Sequence, residues 1–138
     1  MKLLGIDFGT KRIGLALGDT DTKLALPFRT IENDGRVFDN LKKITETDLI
    51  ESFVVGKPIS LSGHDTGDTI DAVKDFSAKI REKTGLPIIF EDERFTSDMA
   101  DSMMKLYGEK ADRDSVAAMI ILQSYLDKVD ELVNPLTR

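Results

Sequence analysis

The residues that invite a chemical reading are acidic ones in apolar settings. Asp7 closes the apolar run Leu3 to Ile6, the segment Glu91-Asp92-Glu93-Arg94 follows the run Pro87 to Phe90, and Asp114 heads a stripe of apolar helix positions. A carboxylate on a buried strand is costly unless it is paired, hydrogen-bonded or bound to a cation. Asp7 therefore reads in two ways: as a ligand for a cation, or as a structural residue that organises the following turn through backbone hydrogen bonds. Asp114 also has two readings, because a first-turn aspartate can serve the helix dipole alone. Converging carboxylates without histidine or cysteine make an oxygen-only donor set, which suits Mg²⁺ or Mn²⁺. Lys11, Arg12, Lys57, Arg94 and Arg113 fall around the same loops. Such a cluster reads either as phosphate-contacting cations or as solvated surface.

These groups must be positioned by a chain of 138 residues, near the usual size of one domain and long enough for a proper core. We expect a single domain over residues 1–138. The sequence has no cysteine, which excludes a disulfide framework, a thiolate zinc site and a thiol nucleophile, and suits the cytoplasm. No apolar run approaches the roughly 20 residues of a membrane span, and the N-terminus enters a strand without a signal-peptide core. A soluble, unexported protein is the expectation. The formal net charge of −6 argues against binding nucleic acid by blanket attraction to phosphate, so any such contact must be local.

The elements can be read in order. Leu3–Ile6 and Ile13–Leu17 predict a hairpin turning through Gly9 and Thr10, and Leu24–Ile31 a third strand that Pro27 confines to an edge. Asn33-Asp34-Gly35 predicts the cap of a helix over about 36–51, with Val37, Leu41 and Ile44 at helical spacing. Phe53–Gly56 is a continuous apolar strand of the kind covered on both faces. A loop over 57–68 follows, containing the only histidine, His64, which reads as solvated or as an acid toward a leaving group. The next helix carries Ile70, Val73, Ser77 and Ile80 on one stripe with Phe76 beside it, and stops at Gly85. Pro87–Phe90 predicts another buried strand, with Phe90 in the core. Thr96 or Ser97 then caps a short helix to Tyr107 whose Met99, Met103 and Met104 read as packing residues. The last helix, about 113–133, places Asp114, Ala117, Ala118, Ile121 and Tyr125 on one inward stripe. Tyr125 reads as core, and no aromatic platform for stacking bases is evident. The result is an α/β domain with a mixed sheet of about five strands and helices on both faces.

Four blocks in this order resemble the YqgF family: Gly5-Ile6-Asp7-Phe8-Gly9-Thr10-Lys11-Arg12-Ile13-Gly14-Leu15-Ala16, the central Val54-Val55-Gly56-Lys57-Pro58-Ile59-Ser60-Leu61-Ser62-Gly63, Asp92-Glu93-Arg94-Phe95-Thr96-Ser97, and the run from Asp114 to Asp127. The resemblance implies an RNase H-like fold and a nuclease, either resolving Holliday junctions or maturing the 5′ end of pre-16S ribosomal RNA. It implies that Asp7, Glu93 and Asp114 are the catalytic, metal-ligating acids. It also implies that Arg94 and Thr96 contact phosphate or orient those acids; Lys11, Arg12 and Lys57, by their place in the same loops, are further candidates for holding flanking substrate. Two metal ions bridged by Asp7 would then hydrolyse a phosphodiester. The chain departs from the family where Lys57 replaces an apolar residue and Ser60-Leu61-Ser62-Gly63 replaces an Asn-Met-Asp-Gly-like segment, so loop contacts with substrate are expected to differ. The related RuvC resolvases place their second acid on the fourth strand, where this chain has Val55-Gly56. The resemblance therefore requires Glu93 to reach from the fifth.

Two other functions fit parts of the sequence. One is a non-catalytic nucleic-acid-binding or ribosome-assembly protein in which the acids persist as a structural cluster. The other is a nucleotide-binding lobe, since Gly5-Ile6-Asp7-Phe8-Gly9-Thr10 is similar to the first phosphate hairpin of actin-like ATPases and sugar kinases. Those proteins close two lobes on one nucleotide, and this chain has room for one. A two-fold dimer would suit symmetric junction cutting.

Overall fold

A computed structural model of the protein describes residues 1–58, 67–93, 97–107 and 112–133. Their elements run β1 (Lys2–Asp7), β2 (Arg12–Asp19), β3 (Leu24–Glu32), α1 (Val37–Thr47), β4 (Ser52–Pro58), α2 (Gly67–Thr84), β5 (Ile88–Glu93), α3 (Ser97–Tyr107) and α4 (Arg113–Val133). The strands form one five-stranded sheet in the order β3-β2-β1-β4-β5. The first three strands are antiparallel, whereas β4 lies parallel to β1 and β5 parallel to β4. A mixed sheet with helices on both faces is thus confirmed. Among the described residues, no helix is long and apolar enough to cross a membrane.

Side chains alternate along each strand, so the sheet feeds two cores. Leu4, Ile6, Ile13, Leu15, Phe53 and Val55 meet α1 and α2, while Leu3, Ala16 and Val54 meet α4. The second core is built for close approach. A Cβ placed on Gly14 would stand 1.9 Å from the Asp114 carbonyl oxygen, and one on Gly5 would stand 2.8 Å from the Leu122 Cβ. Strand glycines here let backbone pack on backbone.

Several expectations hold in detail. α4 spans the predicted residues, α2 stops at Gly85 with φ +73°, and Met103 and Met104 pack against the second core. β3 is an edge strand; its register jumps between Leu15↔Arg29 and Ala16↔Pro27, leaving Phe28 as the extra residue of a bulge beside the proline.

Three expectations are corrected. The first helix ends at Thr47, short of the predicted 51. Asp48 N–H closes its last turn on the Ile44 carbonyl (2.9 Å), and Leu49 takes φ +56° so that Ile50 turns back into the core. Asp34 does not cap that helix: its Oδ1 accepts from Arg36 N–H (2.9 Å), a turn closed two residues on. Finally, β5 is an edge strand only half-buried at Ile88 and Ile89, not one covered on both faces. Only β4 pairs with it among the described residues, and Phe90 is 44% exposed rather than in the core. Tyr125 is half-buried against the second core. The cap expected at Thr96, the side chain of Met99 and most of the loop containing His64 lie outside the described residues.

Gly14→Ala should cost roughly 1–3 kcal/mol, the scale of an overpacked core. Gly35→Ala, where a Cβ meets nothing within 4 Å, is the control. Urea unfolding of both variants checks this; equal stabilities would mean that α4 does not rest on the β2 backbone.

Candidate active site

Asp7 is the last residue of β1 and pairs with Gly14 of β2. Alternation from Leu3 through Gly5 turns its side chain to the α4 face. The same counting on β5 turns Ile89, Glu91 and Glu93 to that face. Glu93 pairs with Pro58, at the far end of β4 from the core, so its side chain must cross β4 to approach Asp7. Gly56 makes the crossing feasible. It has no side chain there, and Glu93 Oε2 lies 3.6 Å from where its Cβ would be.

The third acid arrives with α4. Asp112 caps this helix: its Oδ1 accepts from Ser115 N–H (2.8 Å), and its carbonyl accepts from the Ser115 hydroxyl (3.0 Å). Thr30 Oγ1 donates to the same carboxylate (2.5 Å), tying the helix start to β3. Burial alone would raise the Asp112 carboxyl, but the hydrogen bonds from Thr30 and Ser115 and the nearby Arg12 charge outweigh it and hold the group below its usual value. With the cap fixed, the first turn presents Asp114 over Gly14, next to Asp7.

The electrostatic result is severe for Asp7. Burial chiefly, then the charges of Glu93 and Asp114, then a hydrogen bond with Glu93, push its carboxyl from 3.8 up to about 8. Near neutral pH Asp7 thus keeps its proton, and its carboxyl is hydrogen-bonded with Glu93. Asp114 is neutralised differently: Arg12 Nε donates to its Oδ2 at 3.1 Å. Among the described residues no three acidic or imidazole groups close into a cage as they stand. The three carboxylates lie together as a hydrogen-bonded carboxyl pair and an ion pair. An oxygen-only set this crowded with negative charge fits a hard divalent cation.

Asp7, Glu93, Asp114 and Arg12 are therefore brought together, and Lys11 lies in the adjoining β1–β2 turn. Lys57 is not with them, since alternation along β4 turns it to the α2 face with Val55. Arg113 is engaged with α3, its Nη1 donating to Asp101 Oδ1 at 2.8 Å. Arg94 and Thr96 lie outside the described residues. Sequence reasoning missed Asp112 and the close-approach roles of Gly14 and Gly56, and it grouped Glu91 with the candidate acids, whereas the structure gives Glu91 a packing role. Glu91 is a buried carboxylate held by Lys128 and by the Ser124 hydroxyl (3.2 Å), which ties β5 to α4. Glycines inside otherwise apolar strands were the available signal for close approach.

This arrangement is that of an RNase H-like resolvase fold. The structure is similar to Thermus thermophilus RuvC, with a TM-score of 0.65, 13% identity and coverage of 94% of this chain and 96% of that one. The Fowlpox virus resolvase in complex with Holliday junction DNA gives a TM-score of 0.58 at 10% identity, covering 94% of this chain and 99% of that one. Residues 1–128 match the family described as RuvX, Holliday junction resolvase. A protein of Maridesulfovibrio salexigens named "Putative pre-16S rRNA nuclease" is 41% identical over 133 residues, 91% of this chain and 98% of its own. Another of that name, from Sulfurihydrogenibium sp., is 35% identical over 93% of this chain and 91% of its own. The chain belongs to the RuvX family, also called YqgF.

The Asp7 shift carries a stability consequence. With its folded value near 8 and its unfolded value near 3.8, the native state keeps a proton that the unfolded chain has lost throughout that window. The contribution is full below 3.8 and disappears as pH rises through 8, at no more than about 1.4 kcal/mol per pH unit. In chelator, Asp7→Asn should thus be more stable than wild type at pH 8, with the gap closing toward pH 4. Urea unfolding across this range checks it. A variant less stable than wild type at pH 8 would show that Asp7 is not strained.

Proposed function

We propose that this protein is a divalent-metal-dependent endonuclease that hydrolyses phosphodiester bonds in structured nucleic acid, acting in 5′-end processing of pre-16S rRNA. The observation carrying this reading is the meeting of Asp7, Glu93 and Asp114 at one end of the sheet, with Asp7 too crowded to ionise normally. The rRNA assignment is supported by the names of the curated relatives. A second substrate, branched DNA, is supported by the family description, and cutting it symmetrically would call for two copies of the chain. Cytoplasmic residence belongs to the same proposal and suits a chain without cysteine.

Asp7, Glu93 and Asp114 would hold Mg²⁺ or Mn²⁺. The bound metal, as one ion or a pair, would lower the pKa of an attacking water and stabilise charge on the phosphate and leaving oxygen. Asp7 must release its proton to serve as a ligand, so metal loading should favour higher pH. Asp114 must give up Arg12, which makes the guanidinium a competitor of the metal. Once displaced, Arg12 stands beside Lys11, where its planar fork suits a substrate phosphate and the lysine supplies a point charge. Arg94 and Thr96 extend this grip in the same proposal, on the family motif alone. Lys57, on the other face of the sheet, would meet only substrate that wraps around the strand ends.

Cleavage of a precursor-rRNA fragment and of a four-way DNA junction, in Mg²⁺ and in Mn²⁺, tests the reading. Wild type should cut at least one of them, and Asp7→Asn should lose at least a hundredfold in rate while remaining folded. Tight RNA binding by wild type without turnover in either metal would instead support a ribosome-assembly scaffold. Equal cutting by both proteins would remove Asp7 from the mechanism.

Arg12→Gln separates the two roles of the arginine. It should lower the Mg²⁺ concentration for half-maximal thermal stabilisation several-fold, because the competitor is gone, and weaken RNA binding in Ca²⁺. Unchanged Mg²⁺ affinity would mean that Arg12 does not compete with the metal.

A further inference from the structure

The exposure of Phe90 has a counterpart on the neighbouring helix. Lys74, Ser77, Ala78, Arg81 and Glu82 of α2 face Ile88 and Phe90 of β5 across an open groove of about 570 Å³. That size lies within the range of roughly 300–1,000 Å³ typical of ligand sites. Phe90, one of its lining residues, is 44% exposed, although it belongs to a strand otherwise half-buried or buried along its apolar stretch. Lys74 and Arg81 stand seven residues apart on one side of α2, about two helical turns or 10 Å. Neither has an ion-pair partner among the described residues, whereas Lys83 on the same helix is paired with Asp39 (3.0 Å). With Glu82 as the single acid of the lining, the groove is locally cationic in a chain of net charge −6.

The floor has a polar feature as well. Ser77 is 2% exposed, and its hydroxyl has no hydrogen-bond partner among the described residues. A buried hydroxyl in mid-helix ordinarily bonds back to the preceding turn or to a neighbour. Here it leaves polar capacity beneath an aromatic and aliphatic wall.

The groove and the candidate active site share the edge strand β5 but lie on its two opposite faces. Phe90 and Glu93 are three residues apart on this edge strand, about 10 Å along the chain, and their side chains leave by opposite faces. A strand of substrate held at the carboxylates would round the sheet edge at β5 to reach Phe90, on the face that Asp92 shares with it.

We propose that the α2–β5 groove is a subsite for the unpaired strand flanking the scissile phosphate, with Phe90 stacking one base and Lys74 and Arg81 holding the adjoining phosphates. The proposal rests on the nuclease reading above and adds to it a preference for substrates with a single-stranded extension. Stacking on an exposed aromatic ring tolerates any base, because every base has a π-face. The subsite should therefore read the presence of an extension and not its sequence.

The test compares the full chain with Phe90→Ala, Phe90→Tyr and a Lys74→Gln/Arg81→Gln double variant. Binding is measured in Ca²⁺ to a stem-loop RNA carrying a uridine extension and to the same stem with a blunt end. Wild type should prefer the extended RNA. Phe90→Ala should lose about tenfold on that RNA alone, with Phe90→Tyr retaining affinity. The double variant should bind the extended RNA less tightly and reduce the slope of log affinity against log salt by about 1–2. Unfolding midpoints equal to wild type confirm that these exposed substitutions leave the fold intact. If wild type cuts or binds the blunt stem but gains nothing from the extension, or if Phe90→Ala loses equally on both RNAs, the subsite is overturned and the nuclease reading stands. If wild type neither binds nor cuts either RNA or the DNA junction, the nuclease reading falls and takes the subsite with it.

Discussion

The contact on which the site depends is the seat of α4 on the bare backbone of β2 at Gly14, where even one extra carbon would lie 1.9 Å from the Asp114 carbonyl oxygen. Helix-on-sheet packing normally keeps backbones apart by the thickness of two side-chain layers. Removing both layers at this point places the first turn of α4 directly against the end of the β1–β2 hairpin. Gly5, Gly18 and Gly56 continue the bare track beneath Ile121 and Leu122, so the helix is held down along its length as well as at its tip. The Asp112 cap and its bond from Thr30 set where the helix begins, and the Glu91–Lys128 pair ties its later turns to β5. The start of α4 is thus referenced to β3, and its later turns to β5, the strand that carries Glu93.

That closeness has an electrostatic cost. Three carboxylates from β1, β5 and α4 occupy a region where Asp7 is largely shielded from water, and the chain meets the cost with a proton on the Asp7–Glu93 pair and a guanidinium on Asp114. Neither solution is what a fold optimised only for stability would adopt. An asparagine or a serine at position 7 would satisfy the same hairpin without repulsion. Retaining an acid there sacrifices stability at neutral pH, and such sacrifices concentrate where charge is needed for chemistry. The structural-turn reading of Asp7 is weakened on these grounds, since a residue serving only the turn would have its carboxylate stabilised, as happens at Asp112. The dipole reading of Asp114 loses ground for a related reason: the cap is made by Asp112, which leaves Asp114 to face Asp7 and Arg12.

What was legible in the sequence follows from which forces act locally. The hairpin, the edge character of β3, the Gly85 stop and the full extent of α4 were readable because alternation, proline, glycine and helical periodicity are each encoded within a few residues. The inward position of Asp114 was readable for the same reason, as the head of a stripe continued by Ala117, Ala118 and Ile121. The end of α1 was not, because Leu49 adopts a left-handed backbone only to return Ile50 to a core assembled from distant strands. Phe90 was misread because an apolar run does not say whether a strand is central or at the edge; that is decided by sheet order. Glu93 was the hardest. Its distance from Asp7 depends on a missing side chain, Gly56, on the strand between them, and only the register of β4 with β5 turns an absent Cβ into a passage.

The acidic charge of the chain bears on how it would hold a polyanion. A net charge of −6 disfavours nonspecific association with nucleic acid, so binding must come from places where cations are concentrated and acids are already committed. Asp101 is taken by Arg113, Asp39 by Lys83 and Glu91 by Lys128, and Asp7 keeps a proton. Those pairings localise part of the acidic charge beside cations, while Lys11 near the acids, and Lys74 and Arg81 on the far side of β5, have no ion-pair partner among the described residues. Repulsion elsewhere on the surface then becomes useful. On the proposed reading, a substrate that can reach only the few cationic places would present its backbone in one register, and the carboxylates would act only on the phosphate that this register brings over them.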